Sequence, residues 1–333
     1  MKKILISEWV PEECLLVYQD RYKFTVPTKE KRAFSYGELY KMINDYDGCL
    51  ILDTDVDKNL IDQASNLKVL GNFGAGYNNI DWKYATAVFL PVVNTPTAAR
   101  EATAEHAIAM ILSTMRGVTR YDREIRRGIW NSPNFSDLNS EVFGKTLGIM
   151  GFGRIGKAVC KKARGLGMKV LYNDIQRATT IDTQKYQAKF MSFEEILYQS
   201  DCITLHMPYH SGNHHLFNED AFKKMKKNAY FINVSRGPIV DEKALTQALI
   251  KGEIKGASLD VFENEPRISP ELLALETVTF TPHVASNTMN THLNMCREAL
   301  EGIVGVLEGD KPYNVINPET LGHREPLKFG KDR

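Results

Sequence analysis

Three residue types that can do chemistry together recur at the ends of short apolar runs late in this 333-residue chain. Arg236 lies in Ser235-Arg236-Gly237, Glu265 in the stretch Asp260 to Pro266, and His283 in Thr281-Pro282-His283. A guanidinium binds a carboxylate in a two-pronged pair. A histidine passes a proton to or from a C2 oxygen, and a carboxylate beside it orients and charges the ring. Those are the groups that reduction of a 2-keto acid needs. Upstream, Gly151-Phe152-Gly153-Arg154-Ile155-Gly156 directly follows the run Leu147–Met150 and opens an amphipathic segment. In such a GxGxxG the first glycine permits a tight turn, the second lets backbone approach a pyrophosphate, and the third lets helix pack on strand. Asp174 stands 18 residues beyond Gly156, where an acid accepts hydrogen bonds from an adenosine ribose. A carboxylate there repels a 2′-phosphate, so the expected cofactor is NAD, with Arg177 nearby as the one contrary sign.

To place these groups, the chain must alternate strands and helices. Short Val/Ile/Leu-rich runs separated by amphipathic stretches indicate parallel sheets. Leu147–Met150, Lys169–Tyr172, Cys202–His206, Tyr230–Val234, Ala257–Val261 and Val278–Thr281 form one series of six. Helical patterns lie between them at Ile155–Arg164, Phe193–Tyr198, Asp220–Met225 and Glu242–Ile250. An earlier series holds Ile4–Ile6, Cys49–Leu52, Val69–Gly71 and Pro91–Val93. The fold class is therefore α/β, with two doubly wound parallel-sheet domains: a six-stranded Rossmann-type cofactor domain and a smaller one.

Ala99–Arg127 reads as one long joining helix, with Ile108, Ile111, Leu112, Met115 and Val118 on one face. Thr291–Leu307 reads as another, with Leu293, Cys296, Leu300, Ile303, Val304 and Leu307 on a stripe and Gly309 as a stop. The polar tail from Pro318 to Arg333 is expected to be loosely held.

Lys and Arg total 42 against 41 Asp and Glu, a net charge of +1 without runs of like charge, so no electrostatic footprint for nucleic acid is present. No stretch approaches the roughly 20 apolar residues of a membrane span. The apolar run after Met1-Lys2-Lys3 ends at Ser7-Glu8, too early for a signal peptide. Five scattered cysteines without a CxxC read as reduced thiols of a cytoplasmic protein. His206, His210 and His214 are spaced four apart, with His215 adjoining, but Pro208 and Gly212 break any helix that would align them, so no metal is expected.

Several motifs in order give the chain a resemblance to the D-isomer-specific 2-hydroxyacid dehydrogenases. They are Gly74 to Asp81, Asn94-Thr95-Pro96, Ala104-Glu105-His106, Leu147–Gly156, Ser200-Asp201 through His206-Met207-Pro208, Asn233 to Gly237, Asp260–Pro266 and Pro282-His283. The resemblance implies that Arg236 binds the substrate carboxylate and carbonyl, that His283 passes the proton, and that Glu265 hydrogen-bonds His283 and raises its pKa. It implies that Arg154 and Ile155 lie at the pyrophosphate and that Met207, Val234, Ser235, Asp260 and His283 to Ser286 line the rest of the dinucleotide, with Thr103 on the joining helix as a further contact. The backbone of Ala75 and Gly76 would hold the substrate carboxylate. A discontinuous substrate domain, 1–98 with 290–333, and a cofactor domain, 99–289, follow from it, as does a homodimer. Met207 departs from the small or hydroxyl residue common at its position.

A second reading is a nucleotide-sensing binding protein like the corepressors that share this fold and retain the same three residues. Glyoxylate or hydroxypyruvate, 2-ketogluconate, and pyruvate or a bulkier keto acid remain open as substrates. Thr54, Asp55, Asn72, Phe73 and Tyr77 are the expected neighbours of the substrate beyond C3.

Overall fold

The structure is a computed structural model that describes residues 1–52, 54–130 and 138–322. The chain divides into two units, one from Met1–Ala99 with the chain from Thr288 onward, the other Arg100–Asn287.

The first unit holds β1 (Lys2–Ile6), β2 (Tyr22–Thr25), β3 (Gly48–Ile51), β4 (Val69–Asn72) and β5 (Val92–Val93) in a parallel sheet of order β2-β1-β3-β4-β5. Side chains alternate across a strand with period two. Leu5, Cys49, Ile51, Leu70 and Val92 enter one core, and Ile4, Ile6, Leu50, Val69 and Val93 enter another. Burial on both faces is why these strands read as unbroken apolar runs. The second core is closed by the Met289–Glu308 helix, whose Cys296, Leu300, Ile303, Val304 and Leu307 are buried against it with Leu293 at the margin, and which ends on Gly309 in left-handed backbone.

The second unit holds β6 (Thr146–Met150), β7 (Lys169–Asn173), β8 (Ala188–Phe190), β9 (Cys202–Leu205), β10 (Tyr230–Asn233), β11 (Gly256–Leu259) and β12 (Val278–Phe280), all parallel. Their order is β12-β11-β10-β9-β6-β7-β8. The direction of winding reverses between β6 and β9, which opens a crevice at the carboxyl ends of those strands. Ile203, Leu205 and Phe231 point into one core with Phe217 and Phe222; Leu147, Ile149, Tyr230 and Ile232 point into the other, with Met110, Ile111 and Met115 of the Arg100–Arg116 helix and Val159 of the Arg154–Gly165 helix.

Four expectations need correction. Among the described residues the sheet has seven strands instead of six: β8 is a three-residue edge strand in which only Ala188 is buried, too short and mixed to stand out as an apolar run. The smaller sheet gains β2 for the same reason. The joining helix is broken. It runs Arg100–Arg116, stops at Gly117 (φ +67°), and a separate Val118–Arg126 helix follows with no buried residue, so Val118 leaves the expected apolar face and is 57% exposed. Finally, Pro318–Thr320 is an anchored turn: Asn317 accepts from Val92 N and donates to Leu90 O, and Thr320 is buried. The remainder of the expected loose tail, 323–333, lies outside the described residues.

Candidate active site

The glycine loop sits where β6 ends beside β9. Gly151 has φ +92°, and a Cβ on it would lie 2.7 Å from the backbone of His206 and Met207. A Cβ on Gly156 would lie 2.1 Å from Gly151 O, so the Arg154–Gly165 helix packs onto the strand only with glycine there. Around Gly153 a Cβ would meet nothing within 4 Å. The N–H groups of Gly153, Arg154 and Ile155 carry no partner among the described residues, and Gly153 and Arg154 are exposed. Open space facing the free amides of a 12-residue helix is a fitting cradle for a pyrophosphate.

Asp174 lies one residue past β7. One carboxylate oxygen accepts from Phe152 N at 2.6 Å and the other from Gln176 N at 3.1 Å, so the acid is locked to the glycine loop. The Arg177 guanidinium stacks over the Phe190 ring, 4.4 Å from its centre.

Arg236, Glu265 and His283 follow β10, β11 and β12 respectively, and adjacency of those strands brings them together. Gly237 must be glycine, because a Cβ would fall 1.8 Å from Phe262 O. That contact seats the Arg236 turn against the Glu265 loop. Asn233 clamps the turn by donating to Arg236 O and accepting from Ser235 N, and the Ser235 hydroxyl donates to Met207 O. Burial pushes the Arg236 pKa down and the Glu265 charge offsets only part of this; the guanidinium stays charged.

Glu265 accepts from Phe262 N through Oε1 at 2.9 Å and faces His283 Nδ1 through Oε2 at 2.8 Å. Burial raises its pKa, but the bonds from His283 and Phe262 N and the charges of His283 and Arg236 outweigh this and hold it below the usual carboxylate value. For His283 the Glu265 bond is the largest influence and raises the pKa, against burial and Arg236. With Nδ1 engaged, Nε2 is the nitrogen left to exchange a proton, and the side chain is half exposed.

His283 adopts φ +54°, a left-handed conformation that a non-glycine residue keeps only where its surroundings enforce it. The enforcing group is Asp260, fully buried. Its backbone oxygen accepts from His283 N at 2.7 Å; its carboxylate accepts from Val284 N, Ala285 N and the Thr281 hydroxyl at 2.9, 3.0 and 2.6 Å. Burial raises the Asp260 pKa, yet these bonds with that of His106 keep it low. His106, on the Arg100–Arg116 helix, completes the set at 3.0 Å from Thr281 Oγ1. Its motif was visible in the sequence, but its tie to Thr281 spans 175 positions and no spacing rule reaches that far.

Of the other expected cofactor residues, Ile155, Met207 and Ser286 are half-buried near these strand ends, while Thr103 and Val234 are buried. Ala75 and Gly76 belong to the first unit, in the half-buried loop after β4. His215 spends Nε2 on Glu263 at 2.7 Å and stacks on His214. All five cysteines are buried, and burial pushes the Cys49 and Cys202 thiols up.

A glycine loop at the reversal point of a parallel sheet, with a charged triad on neighbouring strand ends, defines a nicotinamide-dependent oxidoreductase. Comparison with known proteins carries this further. Residues 108–285 match the family model described as D-isomer specific 2-hydroxyacid dehydrogenase, NAD binding domain. The chain is 36% identical over 330 residues to a glyoxylate reductase of Thermococcus litoralis, covering 97% of this chain and 99% of that one. Among solved structures, a glyoxylate reductase from Paecilomyes thermophila superposes with TM-score 0.86 at 27% identity, over 96% of this chain and 99% of the other. A D-lactate dehydrogenase from Aquifex aeolicus, complexed with NAD and lactic acid, gives 0.79 at 26% identity, over 95% and 99%. The chain belongs to the D-isomer specific 2-hydroxyacid dehydrogenases, and it interconverts 2-keto and 2-hydroxy acids with a nicotinamide cofactor; the binding-protein reading is not favoured. Among the described residues no helix is long and apolar enough to cross a membrane.

Proposed function

We propose that the chain is an NAD-dependent reductase of short, unphosphorylated 2-keto acids, glyoxylate and hydroxypyruvate foremost, and that it works with Arg236, Glu265 and His283 as its catalytic set. The observation that carries the reading is the His283–Glu265 pair at 2.8 Å. When bound, the nicotinamide supplies the hydride. Arg236 holds the carboxylate and polarises the C2 carbonyl. His283, kept protonated by Glu265, donates from Nε2 to the oxygen as its charge builds, and is left as the neutral Nδ1–H form facing the carboxylate. In the other direction the same nitrogen takes the proton back.

Gly151, Gly153, Arg154, Ile155 and Gly156 would hold the pyrophosphate and Asp174 the adenosine ribose, with Thr103, Met207, Val234, Ser235, Asp260 and Ser286 along the remainder. Asp174 favours NAD over NADP by charge, and engagement of Arg177 with Phe190 supports the same choice. Ala75 and Gly76 would grip the substrate carboxylate, with 1–98 and 290–333 as the substrate domain and 99–289 as the cofactor domain. Thr54, Asp55, Phe73 and Tyr77, beside that loop, include no cation, so a phosphorylated tail would lose its hydration without a local partner. The relative from T. litoralis supports glyoxylate.

The protein is proposed to act as a cytoplasmic homodimer. Val118, Ile125 and Trp130, large apolar side chains in the segment after Gly117, are 57%, 52% and 86% exposed, and a second copy would cover them. A monomer by light scattering at micromolar concentration contradicts the dimer.

The deciding experiment follows NADH oxidation with a panel of keto acids, using wild type and His283→Ala. Glyoxylate and hydroxypyruvate are expected to exceed 3-phosphohydroxypyruvate in kcat/KM, and the variant to lose about 10²–10⁴ in kcat with NADH affinity retained. Turnover within a few-fold of wild type in the variant removes His283 from the chemistry.

A further inference from the structure

The loop after β4 is built in a way that its expected task alone does not explain. Asn72 ends the strand and is 2% exposed. Its amide nitrogen donates to Gly76 O at 2.7 Å and to Gly74 O at 3.2 Å, spending both N–H bonds on one short loop. This orientation leaves Oδ1 buried with no partner among the described residues. The unpaired oxygen is a cost that an apolar residue of the same size would avoid, and it is accepted in exchange for the two bonds that fix the loop.

Asn94, just after β5 and 8% exposed, donates through Nδ2 to Ala75 O at 2.9 Å, and Thr95 N donates to Gly74 O at 3.0 Å. Asn94 is itself held in a reciprocal pair: its N–H donates to Asn314 O at 3.1 Å, and Asn314 Nδ2 donates to Asn94 O at 2.8 Å. The carbonyls of Gly74, Ala75 and Gly76 are therefore all pinned. In a trans peptide the C=O of one residue and the N–H of the next point in opposite directions. Each pinned carbonyl therefore turns the N–H of the following residue (Ala75, Gly76 or Tyr77) away from the donor that holds it. None of those amides has a partner among the described residues, and the loop is half-buried. Successive backbone amides left unpaired attract an anion.

We infer that Asn72 and Asn94 are positioning residues that aim the Ala75 and Gly76 amides at the substrate carboxylate. The inference rests on the reading that this loop grips the carboxylate. It also corrects the expectation that Asn72 faces the substrate beyond C3: its side chain is buried and turned onto its own loop.

The test compares Asn72→Leu and Asn94→Ala with wild type by steady-state glyoxylate reduction, NADH fluorescence titration and thermal melting. Asn72→Leu removes two donors without adding charge; Asn94→Ala removes one and serves alone if the first does not fold. The KM for glyoxylate is expected to rise about ten-fold in Asn72→Leu and several-fold in Asn94→Ala, with kcat and the NADH Kd within two-fold and little change in melting temperature. Unchanged KM, or a rise matched by weaker NADH binding, overturns the positioning role. A wild type that reduces no keto acid overturns the carboxylate reading beneath it, and this inference with it.

Discussion

His283 Nδ1 lies 2.8 Å from Glu265 Oε2, and this one bond moves both groups in opposite senses, the imidazole up and the carboxylate down. Reduction requires the protonated ring. The rate of reduction should therefore hold at low pH and decline as pH climbs past the raised His283 pKa, while oxidation gains over the same interval. In Glu265→Gln the chief cause of the upward shift is gone and burial, which acts downward, remains. The alkaline limb of kcat/KM for reduction is expected to move to lower pH. A limb that stays in place would show that some other group carries the titration.

The left-handed turn at His283 depends on Asp260, and Asp260 depends on Thr281. The Thr281 hydroxyl donates to the buried carboxylate at 2.6 Å and meets His106 at 3.0 Å. Thr281→Val keeps the shape and deletes both bonds, leaving buried charge less well satisfied. Unfolding in urea should show a loss of about 1–3 kcal/mol. Turnover should fall with it, since the histidine is aimed by this turn. A variant as stable and as active as wild type would mean that the Asp260 backbone and the two remaining amides suffice.

How far the sequence foretold this site depends on how local each cause is. The glycine loop and Asp174 were legible because a strand, a tight turn and a helix start lie within a few residues of one another. Arg236, Glu265 and His283 were legible because each follows a strand, and parallel strands in sequence order are neighbours in space. Ala188–Phe190 is not legible in the sequence because an edge strand needs little apolar content. The break at Gly117 is not legible either, because a glycine inside a helical pattern costs only about 1 kcal/mol, so the pattern does not separate a tolerated glycine from a left-handed stop. The roles of Asn72, Asn94 and His106 depend on where an amide or ring points, which is set by packing across many tens of residues.

Asp174 both closes the glycine loop through Phe152 N and presents charge where the ribose is expected. Asp174→Ala should weaken NADH, measured by fluorescence titration, and narrow the preference over NADPH, because the repulsion toward a 2′-phosphate disappears with the acceptor. A wild type that already favours NADPH would reverse the cofactor assignment and point to Arg177 instead.

Two glycines of one loop are expected to fail in different ways. At Gly156 a Cβ would strike Gly151 O at 2.1 Å, and a backbone oxygen cannot swing aside, so Gly156→Ala must shift the helix off the strand. Overpacking of this kind costs about 1–3 kcal/mol or more, read as an earlier urea midpoint. At Gly153 a new Cβ meets no protein atom within 4 Å, so Gly153→Ala should unfold like wild type. Its methyl group would instead occupy the space reserved for the pyrophosphate and raise the KM for NADH, with the glyoxylate KM little changed. If Gly153→Ala binds NADH normally, the pyrophosphate does not approach the backbone there, and the free amides of Arg154 and Ile155 would have to hold it from farther along the helix.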